Sequence, residues 1–376
     1  MKKITLLLWL GALMCGSLFA QTVTTIAANI PIDDDLIVDA EGNIIGSHYS
    51  GTALRRLTLG GESEVFITGF NTPNGLAYDA QGQLFMADNQ GNKVYKVAPD
   101  GSYELFAELT SPSGLLREWD SDTLIATSYT GDKIVKIAPD GSIADFLTDS
   151  RFNGPVGLCY DEMHNLYIAN FDDRRIFKWT PEGGLSDFSH PGPNGWLGFI
   201  AYAHGYIYAT LFSRNQIWRI DSAGLAEQWL GSSAGSVDGD ASVAKFNRPN
   251  GIRPSVTGDT LFVSDFQTRS VRMITNLDAV TPSREELKTD FNLSVSPNPA
   301  TASASARFFL PDAMAASLQL LDNQGRLVRK IFTNEQLPGG WYEYPLPVGA
   351  LPNGTYYCEL WGRPGRIAVA QFVLSR

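Results

Sequence analysis

Residues 72–101, TPNGLAYDAQGQLFMADNQGNKVYKVAPDG, decide the fold because they recur. The stretch returns at 111–141 as SPSGLLREWDSDTLIATSYTGDKIVKIAPDG and at 154–184 as GPVGLCYDEMHNLYIANFDDRRIFKWTPEGG. A weaker copy begins at Gly198 (GFIAYAHGYIYATLFSRNQIWRID), a further one at Arg248 (RPNGIRPSVTGDTLFVSDFQTRSVRMI), and a degenerate one precedes them all at Asp33 (DDDLIVDAEGNIIGSHYSGTALRRL). A period of about 40 residues belongs to propeller architectures. One such unit cannot bury its own apolar face, so copies stack until a ring closes. Six copies predict an all-β, six-bladed β-propeller.

Each copy divides into four short strands. In the second, GLAYD, QLFMAD, KVYKVA and YELFAEL alternate or carry β-branched and aromatic residues, separated by AQG, NQGN and PDG turns. Pro99-Asp100-Gly101, Pro139-Asp140-Gly141 and Pro181-Glu182-Gly183 mark one turn in successive blades, Pro presetting φ and Gly taking the strained position. The sixth copy has no fourth strand of its own after Ile274. The lone strand at residues 22–27 is expected to supply its outer edge and so tie first blade to last.

Met1 to Ala20 reads as a secretory signal: Lys2 and Lys3, an apolar run, then GSLFA before Gln21. The run is too short for a transmembrane span, and no later stretch is long enough. Loss of those two lysines takes the formal charge from −11 to −13. A lysine-poor acidic surface argues against nucleic acid and anionic membrane as partners. Cys159 and Cys358 fall in strand-like segments of different domains and read as two separate buried thiols.

Residues 276–290 read as a polar linker, and from Phe291 the pattern changes to short alternating strands sized for an Ig-like β-sandwich over 291–376. Within it Pro297-Asn298-Pro299, Gly325 in DNQGRLV, and Leu351-Pro352-Asn353-Gly354-Thr355-Tyr356-Tyr357 occur in order. Together they resemble the C-terminal sorting domain (type A) of the type IX secretion system, a Bacteroidetes export route. Pro297, Asn298, Pro299, Gly354 and Tyr356 carry the motif. The resemblance implies the type IX machinery as partner and a secreted or surface-attached destination. On pattern alone, a carbohydrate-binding or fibronectin-like module is the alternative.

Gly235-Ser236-Val237-Asp238-Gly239, followed by Ala244-Lys245-Phe246-Asn247-Arg248-Pro249-Asn250-Gly251-Ile252, resembles an NHL repeat, as does Pro73-Asn74-Gly75-Leu76-Ala77. The resemblance covers residues 21–275. The wider group includes the gluconolactonase and senescence-marker-protein family, lactone hydrolases with one divalent metal (Ca²⁺, Mn²⁺ or Zn²⁺) in the central channel. In that family the ligands come from the position before the inner-strand Gly: an acidic residue in blade one, Asn in blade four, Asp in blade five. Here that ring reads Asp34, Asn74, Ser113, Val156, Leu197 and Asn250. Only Asp34 carries over as a metal ligand, because Val156 and Leu197 have no oxygen donors. An offset alignment would bring in Asn153 or Asn194.

A second ring follows the second strand: His48, Asp88, Ser128, Asn170, Leu211 and Asp265. Polar residues concentrate on blades six, one and two, so Asp34, Asn74, Asn250, His48, Asp88 and Asp265 are expected at the channel mouth as a ligand-binding arc facing Val156 and Leu197. Alternatively Asp88 and Asp265 satisfy backbone donors in their own turns. The adjacent position reads Tyr49, Asn89, Tyr129, Phe171, Phe212 and Phe266. Its aromatics either line the rim as stacking surfaces for a small molecule, glycan or peptide, or tuck between blades as core. There is no phosphate loop, nucleophile elbow or Cys/His metal cluster. His164, His190 and His204 fall in separate loops. The leading reading is an exported ligand- or protein-binding propeller, with a metal-dependent lactonase of altered ligand set as the alternative.

Overall fold

The computed structural model describes residues 21–277, 291–311, 313–322, 327–349, 351–362 and 365–376. The signal at 1–20, most of the 276–290 linker and Gly325 lie outside the described residues. Residues 22–275 form six antiparallel sheets, five of them four-stranded, each with its strands in chain order. Burial falls from the inner strand outward. In the second sheet Pro73–Tyr78 and Leu84–Asp88 are almost wholly buried, Lys93–Val97 alternates, and Tyr103–Glu108 is mostly exposed. This gradient is what an edge-on stack of sheets around an axis produces, and the arrangement is propeller-like.

The repeated Gly explains how the sheets meet. A Cβ on Gly75 would stand 2.0 Å from Ser113 O of the next sheet, on Gly114 1.9 Å from Val156 O, and on Gly251 2.2 Å from Asp34 O. Gly157 packs in the same way against Ile200 N and Gly198 against Asn250 O, so the contacts run from sheet two through six and back to one. The first sheet carries Asp35 where the others carry Gly. Its buried carboxylate completes the circuit by accepting from Leu76 N–H (2.9 Å) on one side and pairing with Arg253 (2.7 Å) on the other.

The sixth sheet is built from both ends of the ring. Thr22–Ala27 pairs antiparallel with Ser270–Thr275, in the register Val23 to Ile274 and Thr25 to Arg272. It is not the outermost strand, as expected from sequence, but the fourth of five. Gly239–Asp240, from the long excursion after the fifth sheet, pairs with Thr22 and Val23 outside it. Asp238 holds that excursion in place, accepting from Thr25 N–H (2.9 Å) and Thr25 Oγ1–H (2.8 Å). Arg272, fully buried, donates to Asp238 (2.7 Å), Val237 O and Lys245 O.

Residues 294–374 form two further antiparallel sheets, of three and four strands, around one apolar core that includes Phe308, Leu318, Cys358 and Phe372. The motif residues converge on the last strand, Gly365–Leu374. Asn298 accepts from Val373 N–H (2.9 Å) and donates to Gln371 O, while Asn353 brackets Arg376 through N–H (3.1 Å) and C=O. Tyr356 hydroxyl closes the turn on Pro352 O (2.8 Å). Cys159 and Cys358 are both buried and unbridged.

Removing residues 22–27 strips the sixth sheet of its fourth strand, exposes Val23's packing site and leaves Arg272 without Asp238 held beside it. At 2–4 °C per kcal/mol for a domain of this size, the unfolding temperature of the deletion variant should fall by roughly 10 °C or more. Thermal melts followed by circular dichroism measure it, and a variant as stable as its parent would rule out this closure.

Candidate functional site

The starts of the inner strands surround a cavity of about 190 Å³ on the axis of the ring. Asp34, Asn74, Ser113 and Asn250 form one side, and Val156 and Phe199 face them. Tyr49, Tyr129, Phe171, Phe212 and Phe266 stand around its mouth with Asn89. The rings touch one another along an arc: Tyr129 to Phe171 at 6.3 Å, Phe171 to Phe212 at 5.9 Å, Phe212 to Phe266 at 5.3 Å between centroids. The aromatic position therefore lines the mouth.

On the polar side, Asp34 is 2% exposed. Its Oδ1 accepts from Asn250 Nδ2 (2.7 Å), and its Oδ2 is buried with no hydrogen-bond partner. Asn74 Oδ1 is likewise buried and unpartnered. Burial, with the carboxylates of Asp33 and Asp35 beside it, pushes the Asp34 carboxyl well above the usual carboxylate range, although the Asn250 hydrogen bond pulls the other way. Burial also raises Tyr49, helped by the nearby Asp34 charge. Tyr129 is pushed up to about 12 by burial and by Asp172, to which its hydroxyl donates.

Three residues expected at the mouth are not there. Asp88 accepts from Asn71 N–H (2.9 Å) and Thr72 N–H (2.7 Å), fixing the loop that leads into the second sheet. Asp265 does the same for Asn247 N–H (2.7 Å) and stands 3.7 Å from Arg272. His48 Nδ1 bonds Asp33 (2.7 Å), whose other oxygen takes Tyr49 N–H. Asp88 and Asp265 are held by backbone, because a short polar side chain in a turn finds the donors next to it first, and His48 is held by the Asp33 carboxylate. Of the Asp33-Asp34-Asp35 run, only Asp34 reaches the cavity.

Leu197 is also displaced. In the fifth sheet the inner strand starts only at Ile200, so Leu197 turns into the core beside Ala209 and Leu211, and Phe199 takes the wall. Neither Asn153 nor Asn194 lines the cavity, and Asn194 accepts from Arg214 instead. Sequence reasoning missed Trp196. It is 47% exposed and stacks on Phe171 at 5.9 Å, extending the aromatic arc to the surface. Its signal was a departure from the repeat: Trp196 stands where the other complete copies have Pro73, Pro112, Pro155 and Pro249.

A resident divalent cation would need oxygen donors on several sides, six or more for Ca²⁺. The cavity offers the unpartnered Asp34 Oδ2 and Asn74 Oδ1, with Ser113 and Asn250, on one side and carbon from Val156 and Phe199 opposite. Among the described residues no three His, Cys, Asp or Glu side chains converge. This donor set does not fit such a metal.

No protein-family profile matches the chain, and no curated protein sequence does. Solved structures do. Virginiamycin B lyase from Staphylococcus aureus superposes with a TM-score of 0.51 at 21% identity, covering 64% of this chain and 79% of that one. An auxiliary nutrient binding protein from Bacteroides thetaiotaomicron gives 0.59 at 12% identity, covering 68% and 76%. A gluconolactonase from Xanthomonas campestris gives 0.55 at 15%, covering 67% and 89%. At these identities the likeness is one of fold, and the fold shared is propeller-like and all-β.

Burial raises Asp265 from 3.8 to about 6, against the pull of the Asn247 N–H and the Arg272 guanidinium. Between those values the folded chain keeps a proton that the unfolded chain releases, so this group's contribution is present below about 4 and lost as pH rises through about 6. Asp265→Asn keeps an oxygen for Asn247 and cannot ionise. The variant's stability should gain on the parent's by up to ~3 kcal/mol across that window, measured by denaturant melts at pH 4 and pH 7. A constant difference between the two would contradict it.

Proposed function

We propose that this chain is an exported small-ligand-binding protein. On this reading residues 21–275 are a six-bladed β-propeller, 276–290 a linker, and 291–376 an Ig-like sandwich that acts as a type IX sorting domain after removal of the signal at 1–20. The observation that carries the binding reading is the axial cavity, where Asp34 Oδ2 and Asn74 Oδ1 are buried without partners. An unsatisfied buried oxygen costs about 1–3 kcal/mol, more for a charged group, and a ligand that supplies donors removes that cost. The mouth adds aromatic surface of the kind that dominates small-ligand sites. A likeness in fold to Bacteroides nutrient binding proteins supports a binding role. Among the described residues no helix is long and apolar enough to cross a membrane. The acidic, lysine-poor surface disfavours nucleic acid.

The competing reading is a metal-dependent lactone hydrolase, which the likeness in fold to gluconolactonases also accommodates. The donor set opposes it, and metal dependence separates the two. The purified chain, assayed against a panel of sugar lactones with and without chelator, is expected to show no chelator-sensitive turnover. Turnover abolished by chelator and by Asp34→Ala would replace the binding reading.

Export is tested separately. Residues 276–376 fused behind a periplasmic reporter, in a host with type IX secretion, should carry the reporter outside the cell. Asn298→Ala and Asn353→Ala, which release Val373 of the terminal strand and Arg376 just beyond it, should reduce that export several-fold. A wild-type fusion retained in the periplasm would leave the sandwich as a binding module.

A further inference from the structure

The polar side of the axial cavity holds two buried oxygens without partners. Asp34 and Asn74, 2% and 5% exposed, each present an oxygen with no partner. Three of the donors around them are already engaged, Asn250 Nδ2 with Asp34, Asn89 Nδ2 with Pro112 O, and the Tyr129 hydroxyl with Asp172, while Tyr49 and Ser113 bring hydroxyls to the wall. Among the described residues no Lys, Arg or His lines the cavity. Arg248 stands over Phe212 at 5.7 Å, showing that this ring accepts a cation on one face, but it is not part of the wall. Two unpartnered, buried acceptors thus lie beneath an arc of aromatic faces.

That combination discriminates between ligand classes. A carboxylate or phosphate would bring negative charge next to Asp34. A neutral sugar donates to both oxygens but brings no charge to offset that of Asp34. A primary ammonium has three donors and no acceptor, and it is attracted to aromatic faces as well as to a carboxylate.

Resting on the binding reading above, we propose that the cavity takes a compact primary amine as its ammonium ion. The head lies between Asp34 Oδ2 and Asn74 Oδ1, and a short aliphatic or single-ring body lies against Phe171 and Phe212. The volume of about 190 Å³ limits the body to that size. The Asp34 carboxyl, held high by burial and by its two acidic neighbours, lacks a countercharge in the free chain, and the ammonium supplies it.

The probe is phenethylamine, compared with the neutral 2-phenylethanol of nearly the same shape, with glucose, and with CaCl₂. Binding to the full chain is followed by calorimetry and by tryptophan fluorescence, which Trp196 at the rim should report. Phenethylamine is expected to bind at least tenfold more tightly than 2-phenylethanol. Asp34→Asn should erase that preference, and Phe212→Leu should weaken phenethylamine several-fold. Circular dichroism checks that each variant is folded. If Asp34→Asn does not fold, the wild-type preference and the Phe212→Leu loss decide the matter. Equal affinity for the two phenyl compounds, a preference unchanged in folded Asp34→Asn, or no amine binding at all would each overturn the proposal. Binding of glucose alone would overturn it while leaving a binding protein, whereas chelator-sensitive lactone turnover would remove the binding reading itself.

Discussion

The rest of the structure depends on how closely the inner strands of neighbouring sheets approach. At Gly75, Gly114 and Gly251 the space for a Cβ is already occupied by a carbonyl of the next sheet. This contact sets the radius of the ring, and with it the size of the axial cavity. It also places the residue before each Gly at the cavity wall, since strand neighbours point to opposite sides. A side chain at the Gly position would push two sheets apart and propagate around a closed ring. The first sheet has Asp35 there instead, and its carboxylate spans the gap with a hydrogen bond to Leu76 and an ion pair to Arg253. Such a buried pair is costly to break from one side, so the junction of sheets six, one and two adds charge to the packing that holds the other junctions.

This constraint explains which parts of the site the sequence disclosed. The repeat made the Gly visible, and counting back one residue found Asp34, Asn74, Ser113, Val156 and Asn250, all of which line the cavity. The aromatic ring was found by the same alignment. The method failed where the fifth copy leaves the register: without Pro before its Gly the strand starts late, and Phe199 replaces Leu197 at the wall. It failed again for His48, Asp88 and Asp265, because residue type does not say whether a carboxylate or imidazole faces a cavity or its own turn. The backbone N–H groups that capture Asp88 and Asp265 are set by loop geometry. The closing strand at 22–27 was legible as a missing strand in the sixth copy. The extra pairing by Gly239–Asp240 was not, because two residues carry no periodicity.

The same distinction between residue type and surroundings applies to the C-terminal unit. Asn298 and Asn353 lie far apart in sequence, yet Asn298 binds the backbone of the final strand and Asn353 that of Arg376 just beyond it. An Asn is suited to this because its amide both donates to a C=O and accepts from an N–H, as one residue of a neighbouring strand would. The motif that marks this unit in the sequence is therefore, in part, the hardware that fixes its last strand to the rest of the sandwich.

Asp33, Asp34 and Asp35 show most directly how surroundings assign roles. Asp33 is engaged by His48 and by the Tyr49 N–H, Asp35 by Leu36 N–H, Leu76 N–H and Arg253. Asp34, between them, has one side-chain hydrogen bond from Asn250 and an oxygen left over. Two satisfied carboxylates flank one that is not, and their charge makes its ionisation harder still. A fold that needed Asp34 only for stability would be better served by Asn, which makes the same contact with Asn250 through its carbonyl and carries no charge to bury. The opposite wall offers Val156 and Phe199, which cannot compensate a carboxylate. A visitor that brings positive charge would supply the compensation that burial and the two neighbouring carboxylates deny to Asp34.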